Sequence, residues 1–184
     1  MLRRILFLLA VPFAAVITFS TAAAAAVAPG TFGPDPSSFN PANAPSSSHL
    51  ANGSPSPQCT VNADLSIDCG AFTLGGVGHT NADVLLTASY SATIDCFNAG
   101  TNPNNPVESH TTTFSQSSKA TVTSTKNGQL AVPTQSVSPF SAPQVCPNPN
   151  WTPKIRAGTL VLNSFTYTLT FAGFSSPYIT ISRS

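Results

Sequence analysis

Four groups of residues have the types and spacing that chemistry uses. Asn62, Asp64, Ser66 and Asp68 alternate like the early ligands of a calcium loop. The pattern fails where the loop needs it most: Ile67 stands at the turn-glycine position and Thr73 where the bidentate Glu belongs. The same residues read as a hairpin, Asn62-Ala63-Asp64 turning and Leu65 and Ile67 alternating with Ser66 and Asp68. A second group, Gly75-Gly76-Val77-Gly78-His79-Thr80-Asn81-Ala82-Asp83, is glycine-rich like a phosphate cradle. It has neither the following Lys-Ser/Thr nor a helix start to hold the anion, so a mobile connector is expected.

Histidines are the natural acid–base candidates, and there are three. His49 has no ligand-type neighbours. His79 lies near Asp83, and with a Ser or Thr it suggests a hydrolytic triad, but no Gly-x-Ser-x-Gly elbow is present. His110 falls between Glu108 and Thr112 on one strand face, the arrangement of a solvated His–Glu pair. No residue is assigned a catalytic role on this basis. A hydrolase using His79 or His110 is the alternative to a noncatalytic protein.

The fourth group is the loop Cys146 to Arg156, CPNPNWTPKIR. Its prolines stiffen it, and it presents the only Trp of the chain, Trp151, beside Asn148, Asn150 and Lys154. A rigid aromatic platform flanked by amides suits a sugar or peptide ligand, because preordering lowers the entropy cost of binding. The competing reading has Trp151 covering a disulfide and the edge of the core. Asn98 to Pro106, NAGTNPNNP, is also rigid and starts two residues after Cys96, so it is expected to lie beside Trp151. Asn52-Gly53-Ser54 and Asn150-Trp151-Thr152 are sequons, which matter only where the source glycosylates such sites.

Four cysteines, an even number, suit disulfides in an oxidising compartment. Cys59 and Cys69 flank the short hairpin CTVNADLSIDC, which makes a local bridge natural and leaves Cys96 for Cys146. Loop closure gives roughly 3 kcal/mol for the short bridge and roughly 4 kcal/mol for the long one. A four-thiolate zinc site is disfavoured because no CxxC pair exists. No metal or cofactor is expected.

These residues must be positioned by a chain that opens with export signals. Arg3 and Arg4 precede an apolar run from Ile5 to Ile17 and small residues from Thr21 to Ala26, the layout of a signal peptide cleaved after Ala26. The minor alternative is an uncleaved N-terminal membrane anchor. Removing Arg3 and Arg4 leaves five bases against six acids, a net charge of −1. That excludes a cationic nucleic-acid binder. Residues 28–57 carry seven Pro and seven Ser, so 27–57 is expected to be a disordered linker.

Residues 58–184 carry the signals of strands. Ser and Thr make up 46 of 184 residues, and charged residues only 7%, a composition poor for helices. Asp83 to Phe97 alternates strictly, with Val84, Leu86, Ala88, Tyr90, Ala92, Ile94 and Cys96 on one face. Gly158 to Phe171 repeats the pattern. Shorter strands are expected at 58–63, 66–74, 107–116, 118–126, 129–137 and 177–182, with Asn127-Gly128 as the strongest hairpin turn. The expectation is an all-β chain: a single antiparallel β-sandwich, immunoglobulin-like first, a jelly roll or small barrel second.

The hairpin CTVNADLSIDC, the strand ending TIDC, the loop CPNPNWTP and the strand SFTYTLTF together resemble small secreted bacterial β-sandwich proteins of uncharacterised function. The resemblance covers roughly 58–182 and implies no activity and no catalytic residue. The functional expectation is a secreted noncatalytic module that binds envelope polymer, glycan or a surface protein. Its alternatives are a self-associating surface protein, since Thr-rich edge strands with few charges permit pairing, and a secreted hydrolase.

Overall fold

The computed structural model describes residues 26–98, 100, 105–141 and 145–184. The expected signal segment, 1–26, lies outside them except for Ala26. Among the described residues the chain is all-β, with two single-turn 3-10 segments at Pro41–Asn43 and Pro139–Ser141. The strands are β1 (Gly30–Phe32), β2 (His49–Leu50), β3 (Cys59–Val61), β4 (Ile67–Cys69), β5 (Phe72–Gly75), β6 (Ala82–Asn98), β7 (Glu108–Val122), β8 (Leu130–Val132), β9 (Gln135–Val137), β10 (Trp151–Ile155), β11 (Val161–Phe171) and β12 (Ile179–Arg183).

The frame is β6. Its strict alternation puts Ala82, Val84, Leu86, Ala88, Tyr90, Ala92, Ile94 and Cys96 on one face, each no more than 1% exposed. β7 pairs along one of its edges in fifteen consecutive register positions, Ala82↔Val122 to Cys96↔Glu108. On the other edge β11 pairs with the first part of β6 and β10 with its end, so two strands in tandem share one edge. β12 then pairs outside β11. Two small antiparallel sheets, β1-β3-β4-β9 and β2-β5-β8, supply the other side of the core. The main core joins Val61, Ile67, Leu74 and Leu130 from the small sheets to Leu86, Tyr90, Phe165 and Ile181 from the large one.

Both expected disulfides are present, Cys59–Cys69 and Cys96–Cys146. The first links directly paired residues of β3 and β4. Several boundaries differ from the expectation, for local reasons. The runs 107–116 and 118–126 form one strand, because β7 pairs with β6 straight through Ser117. The run 129–137 divides into β8 and β9 at Pro133-Thr134, and 66–74 divides at Gly70-Ala71.

The larger correction concerns 27–57. It is not a disordered linker, and a domain limit at residue 58 cuts through the fold. β1 pairs with β3, and β2 pairs with β5. Between them the segment runs along the outer edge of β12: Asp35 N donates to Thr180 O at 2.8 Å, Phe39 N to Tyr178 O at 2.7 Å, and Thr180 N to Ser38 Oγ at 3.0 Å. Phe32 packs on Phe165 and Phe39 edge-on to Tyr178. Few apolar side chains suffice because the segment satisfies backbone groups that the sheet edge would otherwise leave unpaired. The Gly75–Gly78 stretch is likewise no mobile connector: Val77 is fully buried, and its N donates to Gly128 O at 3.0 Å.

Candidate functional site

At the end of β6 beyond Ser91, the large sheet carries a second hydrophobic cluster of its own. Ala92, Ile94, Cys96 and Cys146 form it, with Phe114, Trp151, Ile155 and Leu160 packed against it. Alternation along β10 sends Trp151, Pro153 and Ile155 to this inner face, opposite Asn98, Cys96 and Ile94 respectively. Trp151 is thus half-buried cover for the Cys96–Cys146 bridge. It lies in a strand, where the sequence suggested a loop: Pro153 is tolerated because β10 is a short edge strand beside β6.

The four candidate ligand residues are therefore not one patch. Asn148 shapes the entry to β10: its Oδ1 accepts from Asn150 N at 3.0 Å, and its carbonyl accepts from Trp151 N at 3.0 Å. Asn150 is exposed at that turn. Lys154 is exposed on the opposite face of β10 from Trp151, across from Asp95. There Asp95 takes a two-pronged contact from Arg156, Nη2 to Oδ1 at 2.6 Å and Nε to Oδ2 at 3.1 Å. Ser109 Oγ donates to the same carboxylate at 2.6 Å. Arg156 first, then Ser109, hold the Asp95 carboxyl below the usual range. Of the loop expected beside Trp151, Asn98 ends β6 and faces Trp151 in register, and residues 99 and 101–104 lie outside the described residues.

Two exposed apolar residues, Val107 and Val145, lie at this same end, which sequence reasoning missed. Among the described residues the exposed large hydrophobic side chains are Leu85, Val107, Phe140 and Val145. Val107 is 45% exposed, and its N donates to Cys96 O at 2.9 Å. Val145 is 69% exposed and precedes Cys146. The two valines thus flank one disulfide, and Phe140 belongs to the segment that the bridge closes. Val145 precedes Cys146 in the sequence, but Val107 stands eleven residues from Cys96 and reaches it only through the fold, so the sequence carried no signal for the pair.

The other candidate groups resolve into structure. Asn62 Nδ2 donates to Ser66 Oγ at 2.9 Å and Asp68 Oδ2 at 2.7 Å, while Asp64 Oδ1 accepts from Ser66 N at 3.0 Å. That is a hairpin turn held by its own polar side chains, and donation from Ser66 holds the Asp64 carboxyl below its ordinary value. Asp83 accepts from Thr121 Oγ1 at 2.6 Å and lies 3.8 Å from Lys119 Nζ, so its partners are on β7. His110 shares a face with Glu108 and Thr112 as expected, but that face is the inner one, and His110 Nδ1 is buried without a protein partner. Among the described residues no group of three or more His, Cys, Asp or Glu side chains is placed to hold a metal ion.

No known protein family, curated protein or solved structure matches this chain.

Proposed function

We propose that the chain is a secreted, noncatalytic binding module whose contact surface is the disulfide-bridged end of the large sheet. The observation that carries this reading is the placement of Val107 and Val145 on either side of the Cys96–Cys146 bridge, exposed, with Asn150 at the adjoining turn. Apolar side chains held in water on a covalently fixed scaffold favour a partner that covers them, because little ordering entropy remains to be lost on binding. The partner class is a cell-envelope polymer, a glycan or a surface protein. Export is supported by the N-terminal residue pattern and by two closed disulfides. The noncatalytic reading rests on the histidines: Asp83 is engaged by β7, and His110 faces the inner side of the sheet.

The test is saturable binding of the oxidised 26–184 chain to intact cells, purified cell wall and insoluble polysaccharides. The 26–184 chain is the right probe because β1 and β2 belong to the fold. Val107→Ser with Val145→Ser removes exposed apolar surface without touching the core, and is expected to weaken binding at least about tenfold while the thermal transition stays in place. Unchanged binding by that variant would move the contact surface elsewhere. Absence of binding to every fraction would remove the reading.

A further inference from the structure

We propose that β7 is a self-association edge through which two copies of this chain pair antiparallel, extending the large sheet across a two-fold axis. Apart from the short edge strand β10, the sheet has two outer edges, β12 and β7, and they are treated very differently. The β12 edge is capped by the chain's own residues 35–39, whose backbone and Ser38 and Asp35 side chains take its amides and carbonyls. The β7 edge, 15 residues long, pairs only with β6 among the described residues. It also lacks the usual protections of an edge strand. It contains no Pro and no Gly, its register against β6 has no bulge, and its only Lys, Lys119, leans toward Asp83 on its own sheet.

The inner face of β7 is only partly covered: β8 and β9 lie against it, and Ser118 Oγ donates to Gln135 Oε1 of β9 at 2.6 Å. Where the β6 residues opposite it are fully buried, every residue from Glu108 to Thr121 is half-buried or exposed. Phe114 stacks on Tyr90 with ring centroids 5.6 Å apart but keeps partial exposure.

A second copy fits this edge by composition and by area. In a register centred on Ser115, Thr113 faces Ser117 of the other copy, Thr111 faces Lys119, Thr112 faces Ser118 and Phe114 faces Gln116. Glu108 then faces Val122, so no like charges oppose one another. Hydroxyl pairs of this kind stabilise neighbouring strands, and the two Phe114 rings lie on a diagonal within aromatic reach. At ~3.4 Å per residue the edge is about 50 Å long, and covering it buries on the order of 1,000 Å² in total, the threshold for a specific interface. An antiparallel pair also adds about one backbone hydrogen bond per residue paired.

The test is sedimentation equilibrium of the oxidised 26–184 chain over a wide concentration range. The expected result is a monomer–dimer equilibrium. Thr113→Lys with Ser117→Lys places lysines directly opposite one another across the axis, at positions that point to solvent in the monomer. That variant is expected to dimerise at least about tenfold more weakly. Thr113→Glu with Ser117→Glu is expected to behave likewise alone and to form a heterodimer when mixed with the lysine variant. Hydrogen exchange on the unmutated chain provides a readout free of folding artefacts: β7 amides should gain protection with concentration while β11 amides do not. A monomer at every concentration, a dimer indifferent to the lysines, or β7 protection independent of concentration would each overturn the proposal. The Val107/Val145 surface is not altered by these variants, so the binding reading stands or falls separately.

Discussion

Buried tyrosines show at single-residue scale how this core handles polar atoms. Tyr90 is fully buried, yet its hydroxyl donates to Leu65 O at 3.0 Å. Leu65 offers that carbonyl from a left-handed conformation, φ 65°, costly for a branched side chain. Tyr178 donates in the same way to Ser48 O at 3.0 Å, tying the N-terminal segment to the body. Tyr167 is 1% exposed, and its hydroxyl finds no protein partner. An unsatisfied buried hydroxyl costs about 1–3 kcal/mol, whereas a satisfied one contributes about 1 kcal/mol net. Tyr167→Phe is therefore expected to be neutral or stabilising by about 1 kcal/mol, and Tyr90→Phe destabilising by about 1 kcal/mol. Denaturant midpoints at constant slope decide it, and destabilisation by Tyr167→Phe would show that its hydroxyl has a partner.

At the scale of elements, the N-terminal segment is where composition and structure part company. Its seven prolines and seven serines in 28–57 describe how little apolar surface it owns. They do not describe the demand it meets, a β12 edge whose amides need acceptors. Asp35 makes this concrete: burial opposes its ionisation, but donation from Ser182 Oγ and N and from Arg183 outweighs it and holds the carboxyl below its usual range. Arg183 also sits 4.9 Å over the Phe32 ring. The long strands were legible because alternation is a property of one strand. Pairings between distant short segments, β1 with β3 or β2 with β5, leave no periodic trace in three or two residues. The segment's fit is tightest at Gly76, where φ is +70° and an added Cβ would stand 2.0 Å from Ser47 O. Gly78 also has positive φ, +60°, but open space around it. Gly78→Ala is expected to cost about 1 kcal/mol from backbone strain alone. Gly76→Ala should cost clearly more and expose residues 45–50 to limited proteolysis. Equal costs would mean that the segment is not docked at that loop.

Taken whole, the molecule is a sheet with one guarded edge, one open edge and a bridged end, and the candidate site follows from that layout. Trp151, Asn148, Asn150 and Lys154 were visible in the sequence as a polar–aromatic loop. Which of them share a face depends on β10 being a strand, and that depends on β6 continuing past the main core to receive it. The shared core has a further consequence at alkaline pH, because all three tyrosines of the chain are buried in it. Burial, with the Asp64 charge second, pushes the Tyr90 hydroxyl up to about 12. Burial likewise raises Tyr167 and Tyr178. An unfolded tyrosine ionises near pH ~10. Above that pH the unfolded chain releases protons that the folded one retains, so the folded state binds more protons and stability falls as pH rises. Their stabilising contribution is complete below pH ~10 and is lost as pH climbs through the raised values, at no more than ~1.4 kcal/mol per pH unit for any one tyrosine. The expected titration has tyrosinate absorbance and loss of β circular dichroism rising together in one cooperative step above pH ~10. A tyrosine ionising near pH ~10 while the circular dichroism stays native would show that at least one of the three is open to water.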